Sequence, residues 1–331
     1  MNNRSGNIWS RFTAVVALAL GLSGGANAAD PTVRFAIDGY AMGSLVQVAA
    51  AKGYFAEQNI DARVLTFAYG TDTIDAVLAG QADFGVIIDM PLLTRLSSGK
   101  LMAPAIVSLP LPGWHKLYAE KGISKPADLK GKSLGIAAGT AQEFVTRSYL
   151  KDNGVDPEKD VKLVKFQSIF EIVGAMKAGR IDAAWVWAEG VAAVKDDPKF
   201  KFVADDGVVK QGTSALLVTS RQFATEHRDL VIRSLKAMGK AEAIVKSDSQ
   251  QAADIAAKGI GGDAAKIKPI LESQRFNLNF GAKPIQAIKD KYDFLVSNGL
   301  IKTPYVLADQ FDLSMLREAM PGADVASGVP R

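Results

Sequence analysis

The chain has 331 residues, a formal net charge of +4, two histidines and no cysteine. Without cysteine there can be no disulfide, no lipid-modified N-terminal cysteine and no zinc cluster of the common kinds. Lysines and arginines are scattered among aspartates and glutamates rather than gathered into a basic stripe, which argues against a nucleic-acid partner.

In chain order, Arg4 and Arg11 precede an apolar run from Thr13 to Leu22, and Ala26-Asn27-Ala28 places small residues where a signal peptidase cuts. Residues 1–28 therefore read as a secretory signal peptide, cleaved before Ala29. The run is shorter than the ~20 apolar residues of a spanning helix, and Gly21, Gly24 and Gly25 break it. No later segment is long enough to cross a membrane. The expected product is a free protein of roughly 300 residues in a bacterial periplasm, large enough for two domains.

A pattern then occurs twice at an offset of 99 residues. Val33 to Ile37 and Lys132 to Ile136 read as buried strands, each leading through a Gly-containing turn into a helical pattern (Leu45, Val48 and Ala49; Phe144, Val145, Tyr149 and Leu150). Strands at Ala62–Phe67 and Val161–Phe166 follow, then second helices through Ile74, Val77 and Leu78 and through Ile169, Val173 and Met176. Both close on Ala-Gly-x-x-Asp (79–83 and 178–182) before a third strand. Gly80 and Gly179 suit the left-handed residue that ends a helix, and Asp83 and Asp182 stand where a tight turn hands over to that strand.

Two strand–helix–strand–helix–strand units predict an α/β protein of two lobes, each a mostly parallel sheet flanked by helices, with ligand bound in the cleft between them. From Ala215 onward the chain is mostly helical, with helical spacing over residues 226–258, 264–272 and 284–297. It reads as a return that packs onto the first lobe. The predicted division is 29–118 with 219–331 for lobe one and 119–218 for lobe two.

The cleft candidates are turns at helix N-termini, whose unpaired backbone N–H groups favour an anion. They are Ser44, Gly70 with Thr71, Asp89 with Met90, Gly139-Thr140-Ala141, and Gln167 with Ser168. Each is equally a plain helix cap, and a carboxylate such as Asp89 would repel an anion placed directly on it. Tyr40, Tyr69, Trp114 and Trp187 are candidate walls. Alternation along 183–187 predicts that Trp185 and Trp187 share one face of a strand, either lining the cleft or packing in the core.

Several segments in this order resemble the solute-binding proteins of bacterial ABC importers, in the group that takes up alkanesulfonates, taurine, nitrate and thiamine-precursor pyrimidines. They are Lys52-Gly53-Tyr54-Phe55, Leu78 to Gly85, Asp89-Met90-Pro91, Asp128-Leu129-Lys130-Gly131-Lys132, Gly139-Thr140-Ala141 and Gly299-Leu300-Ile301. The resemblance implies a type II periplasmic binding protein that closes on a small anionic ligand, foremost a sulfonate, and docks as a monomer on an ABC permease. It implies no cofactor and no catalytic residue. One departure stands out: where the family often has Trp-Asp-Pro or Trp-Glu-Pro, this chain reads Trp187-Ala188-Glu189-Gly190. Glu189 then either faces an amine on the ligand or is a solvated acid at a helix start.

Rival functions find less support. The family's pyrimidine-synthesising enzymes use a cysteine-rich motif that is absent here. Gly259 to Ala264 follows a helix rather than the strand a dinucleotide fingerprint requires. His227 reads as a surface residue and His115, beside Trp114, as a packed loop histidine. Nitrate, taurine or a pyrimidine as ligand, and a sensing partner in place of a permease, stay open.

Overall fold

A computed structural model describes residues 30–38, 41–67, 70–110, 113–209 and 213–330. The expected signal peptide lies outside the described residues, as do Tyr40 and Tyr69. The first unit comprises β1 (Thr32–Asp38), α1 (Ser44–Ala51), β2 (Asp61–Phe67), α2 (Gly70–Leu78), β3 (Phe84–Ile88) and α3 (Asp89–Leu96). The chain continues through β4 (Leu101–Pro110) and β5 (Lys116–Glu120). A second unit follows: β6 (Ser133–Ala137), α4 (Ala141–Asp152), β7 (Lys162–Phe166), α5 (Ile169–Lys177), β8 (Ala183–Val186) and α6 (Ala188–Val194). After β9 (Phe200–Asp205) and β10 (Ala215–Ser220) come α7 (Arg221–Glu226), α8 (Arg228–Ser247), α9 (Ser249–Ile260), α10 (Ala264–Glu272), β11 (Gln274–Asn279), α11 (Ala282–Ser297) and α12 (Leu313–Ala319).

The repeat is structural down to its register. Helices α2 and α5 begin and end 99 residues apart, and the parallel pairings Phe35↔Phe84 and Leu134↔Ala183 are related by the same offset. Gly80 and Gly179 both end their helices at positive φ, +70° and +66°, where an L side chain is strained. The aspartates act alike too. Asp83 accepts from Arg34 N at 2.7 Å while its own N–H reaches Arg34 O; Asp182 does the same with Ser133, also at 2.7 Å. Each aspartate thereby stitches the start of the third strand to the first, so this pair of residues builds the lobes rather than the site. Close packing repeats as well: Gly85 lies opposite Ala36 and Gly135 opposite Ala184, so one member of each pair lacks a side chain beneath the crossing helix.

Both sheets are mixed. The first runs β11-β4-β10-β3-β1-β2 and the second β7-β6-β8-β5-β9. The parallel strand pairs are those inside the two repeat units; every strand pairing of β4, β5, β9, β10 and β11 is antiparallel, with one isolated parallel bridge from Ala103 of β4 to Phe311. The boundaries expected at 118/119 and 218/219 fall inside β5 and β10. Strand β5 pairs wholly in the second sheet and β10 wholly in the first, because each needs neighbours on both edges and finds them only there.

Apolar faces of α8 to α12 join the core of the first sheet, as the helical spacing predicts. The run predicted over 226–258 is two helices broken at Asp248, whose carboxylate caps the second by accepting from Gln251 N at 2.9 Å. Around the second sheet lie two smaller cores, one on each face. Ala141 and Phe144 of α4 belong instead to the core of the first lobe, Phe144 meeting Phe294 of α11 edge-on at 5.1 Å. The two lobes are thus in contact beside the cleft.

Candidate functional site

Between the sheets opens a cavity of about 450 Å³. It sits beyond the carboxyl ends of β1, β3, β6 and β8, where Asp38, Ile88, Ala137 and Trp187 reach it. Among the described residues, three helices of eight or more residues begin on it with N-terminal donors not taken up by a side chain of the first lobe: α2 with Gly70 and Thr71, α4 with Thr140 and Ala141, and α5 with Ser168 and Ile169. Helix α3 also starts at its wall, at Ile88 and Pro91, but Asp89 and Ser214 take its first N–H groups. Parallel strands carry the following helices to the same edge of each sheet, so their N-termini converge. Trp114, Phe170, Trp187 and Met42 supply much of the apolar wall. Phe170 is 66% exposed at the rim, an aromatic ring left to water by the fold itself.

Both helices from the second lobe start with a hydroxyl cap, and in each a glutamate three residues on reaches back to the N–H of the residue before the cap. Thr140 Oγ1 accepts from Gln142 N at 3.2 Å, and Glu143 Oε2 reaches back to Gly139 N at 2.8 Å. In α5, Ser168 Oγ accepts from Glu171 N at 3.2 Å and Glu171 Oε2 from Gln167 N at 3.0 Å. These contacts consume part of the N-terminal donor set. The Thr140 hydroxyl also donates to Ala137 O at 2.7 Å, so it is not the free donor the sequence suggests. Ala141, the first residue of α4, lines the cavity, and its N–H has no acceptor inside the helix.

Polar side chains complete the lining. Gln142 is fully used: its Oε1 accepts from Ala137 N at 2.9 Å and its Nε2 donates to Gly135 O at 3.0 Å and Trp185 O at 3.1 Å. It staples α4 to β6 and β8. Gln274, from β11, accepts from buried Ser108 Oγ at 2.8 Å, which holds its amide with Nε2 as the remaining donor. Asp38 brings a buried carboxylate to the wall.

His115, expected to be loop packing, lines the cavity as part of a pair. Its Nδ1 is 2.9 Å from Asp206 Oδ2, and the same carboxylate accepts from His115 N at 2.9 Å and Gly113 N at 2.6 Å. Burial pushes the Asp206 carboxyl up, but the His115 hydrogen bond and ion pairing with the two backbone donors outweigh it and hold the group below the usual carboxylate range. Nothing local marks this pairing, since 91 residues separate the partners.

Of the residues expected at the site, Gly70, Thr71, Thr140, Ala141, Gln167 and Trp187 line the cavity. Ser44, Asp89, Met90 and Gly139 do not. Ser44 and Met90 are fully buried, and Gly139 forms the turn before α4 at φ +74°. Asp89 is in a closed ion pair: its Oδ2 lies 2.6 Å from Lys291 Nζ and 2.7 Å from Ser214 N, with Oδ1 accepting from Met90 N at 2.8 Å. It is the first residue of α3, with Ile88 as the N-cap, and it pins that helix to α11 and to the return segment before β10. Tyr40 and Tyr69, and the side chain of Glu189, fall outside the described residues.

Trp185 and Trp187 do not share a face. Trp185 is fully buried and packs edge-on against Tyr149 at 5.2 Å in the core on one side of the second sheet, while Trp187 packs with the core on the other. The strand ends at Val186 and Trp187 is already the N-cap of α6, so period-two alternation no longer governs it.

Among the described residues, no group of three or more His, Asp or Glu side chains is placed to hold a metal ion, and no helix is long and apolar enough to cross a membrane.

Comparison with known proteins agrees with this architecture. The profile of the family described as NMT1/THI5 like matches residues 44–252. The taurine-binding periplasmic protein of Escherichia coli (strain K12) is 29% identical over 230 residues, 68% of each chain. Among solved structures, the periplasmic aliphatic sulphonate binding protein SsuA from Escherichia coli superposes with a TM-score of 0.70 at 19% identity, covering 82% of this chain and 94% of its own. The desulfurization enzyme DszB superposes with a TM-score of 0.64 at 14% identity, over 88% of this chain and 99% of its own. At these identities the superpositions establish the fold and leave chemistry to the site.

Proposed function

The chain belongs to the NMT1/THI5-like family, and from that premise we propose that it is a periplasmic solute-binding protein that captures a small organic sulfonate and delivers it to an ABC permease. One observation carries this reading: three helix N-termini converge on a cavity whose described lining includes neither Lys nor Arg and whose walls are largely aromatic and aliphatic. A sulfonate keeps its charge at every physiological pH and offers three oxygens to donors arriving from different directions, such as Ala141 N–H and Gln274 Nε2. Backbone donors and helix dipoles suit such an anion. The organic tail would lie against Trp114, Trp187 and Phe170, whose exposed ring gains most from being covered.

The ligand would act as a bridge. It touches α2 from one lobe and α4 and α5 from the other, so its contacts are complete only when the lobes are together, and its differential affinity would favour that state. Enzymatic turnover finds less support: the chain has no cysteine to serve as a thiol nucleophile, and the relative by sequence described above is named for binding.

A second reading is favoured by Asp38, whose carboxylate lines the same cavity. A zwitterion of the taurine type would set its ammonium against Asp38 and its sulfonate against the helix N-termini.

Thermal unfolding of the mature protein, refolded to strip carried-over ligand, tests both. The panel is ethanesulfonate, benzenesulfonate, taurine, nitrate, sulfate and a pyrimidine precursor. A ligand at ~100 times its Kd stabilises the fold by about 2.7 kcal/mol, a readily measured shift. Silence from every sulfonate together with a response to a neutral or cationic compound overturns the proposal. In the second reading, Asp38→Asn weakens taurine by about tenfold or more and leaves ethanesulfonate nearly untouched; equal losses reject it. Delivery is tested by stimulation of the cognate permease ATPase in proteoliposomes.

A further inference from the structure

We infer that His115, oriented by Asp206, is the charged partner of the bound anion, so that sulfonate binding takes up a proton. This deepens the sulfonate reading above and rests on it. Among the described lining residues His115 is the one side chain that can become positively charged. Its side chain is 6% exposed, and Trp187 stands edge-on to it at 5.9 Å.

The geometry fixes which nitrogen does what. A carboxylate only accepts, so Asp206 Oδ2 at 2.9 Å keeps the proton on Nδ1 in both charge states. Asp206 cannot swing away easily, because the N–H groups of Gly113 and His115 also hold it. The exchangeable proton therefore belongs to Nε2, on the ring edge away from Asp206, and in this proposal that nitrogen meets the ligand in the cavity His115 lines. In the neutral imidazole Nε2 is an acceptor and repels a sulfonate oxygen. Once protonated it donates to that oxygen and carries the compensating charge. The bound proton comes from solvent and stays between Nε2 and the ligand.

Other charged groups surround the pair. Asp205 closes β9 behind the Gly113 turn, Asp38 lines the same cavity from β1, and Lys116 follows His115 on β5. Of these, Lys116 is partly exposed, where solvent screens its charge.

Sulfonates do not titrate between pH 5 and 9, so any dependence of affinity on pH in that range belongs to the protein. Where His115 is already charged, affinity is flat. Above that range it weakens by up to about tenfold per pH unit, until the complex also loses the proton. Titration calorimetry with ethanesulfonate between pH 5.5 and 8.5, in buffers of differing ionisation enthalpy none of which is itself a sulfonate, measures affinity and proton uptake together.

The expected result for the unmodified protein is at least about tenfold tighter binding at pH 5.5 than at 8.5, with net proton uptake near neutrality. His115→Gln, which keeps a neutral donor, abolishes the pH dependence. Asp206→Asn acts through orientation and reduces proton uptake. Binding that is flat with pH and takes up no proton overturns the assignment while leaving the sulfonate reading intact; absence of binding at every pH overturns both. The measurement on the unmodified protein decides the matter even if a variant fails to fold.

Discussion

Lys291→Met is the most demanding test of the buried ion pair that ties α3 to α11 inside the first lobe. Lys291 and Asp89 are 1% and 0% exposed, their charged atoms 2.6 Å apart, and the remaining acceptor capacity of Asp89 is met by the N–H groups of Ser214 and Met90. Methionine keeps the aliphatic stem and removes the ammonium, leaving a buried carboxylate with backbone donors and no counter-charge. Breaking such a pair costs about 3–5 kcal/mol. The ammonium also lies 5.9 Å from the Phe144 ring, so α11 loses a contact with the second lobe as well. Urea unfolding followed by tryptophan fluorescence reads the loss. The double variant Asp89→Leu, Lys291→Met should lose clearly less than the two single losses combined, because no charge is then left stranded. A loss under about 1 kcal/mol for Lys291→Met, or simple additivity in the double variant, would refute the reasoning.

Further outcomes follow from the same contacts. Asp206 has a carboxyl held below its unfolded value, so its contribution to stability is present above the unfolded carboxylate range and is lost as pH falls through the lower folded one. Acid unfolding of Asp206→Asn should accordingly show a flatter profile than the unmodified protein in that window, and identical profiles would count against the pairing. At Gly85 an added Cβ would lie 2.9 Å from Ile74 Cδ1 and 3.0 Å from Thr73 O. Gly85→Ala should therefore cost about 1–3 kcal/mol by overpacking β3 against α2. Gly80→Ala meets no atom within 4 Å but must adopt φ +70°, and should cost about 1 kcal/mol. Urea midpoints of the two variants check the order.

Much of the fold was legible because its signals are local or periodic. Helical spacing marked α1, α2, α4, α5 and the C-terminal helices. The duplicated Ala-Gly-x-x-Asp turns marked where strands re-enter, and their aspartates do bind the backbone of the strand that opens each unit. The site was legible only in part. Gly70, Thr71, Thr140, Ala141, Gln167 and Trp187 could be named because helix starts after strands converge on one edge of a sheet. Asp89 looks like the same kind of residue, yet its partner is 202 positions away. Trp187 escaped the strand rule because the strand stops at Val186, one residue before it.

The sequence by itself determined the two repeat units, their 99-residue offset and the sheet edge at which the helix N-termini gather, since each follows from a pattern a few residues long acting on backbone geometry. Tertiary structure alone decided which polar groups face the cleft. Asp89 was spent on Lys291, the Thr140 hydroxyl on Ala137, and the Gln142 amide on two strands, while His115 was placed on the wall by Asp206. A buried polar group must find a partner, and the partner can come from any part of the chain that folding brings near. Spacing along the sequence carries no record of that choice.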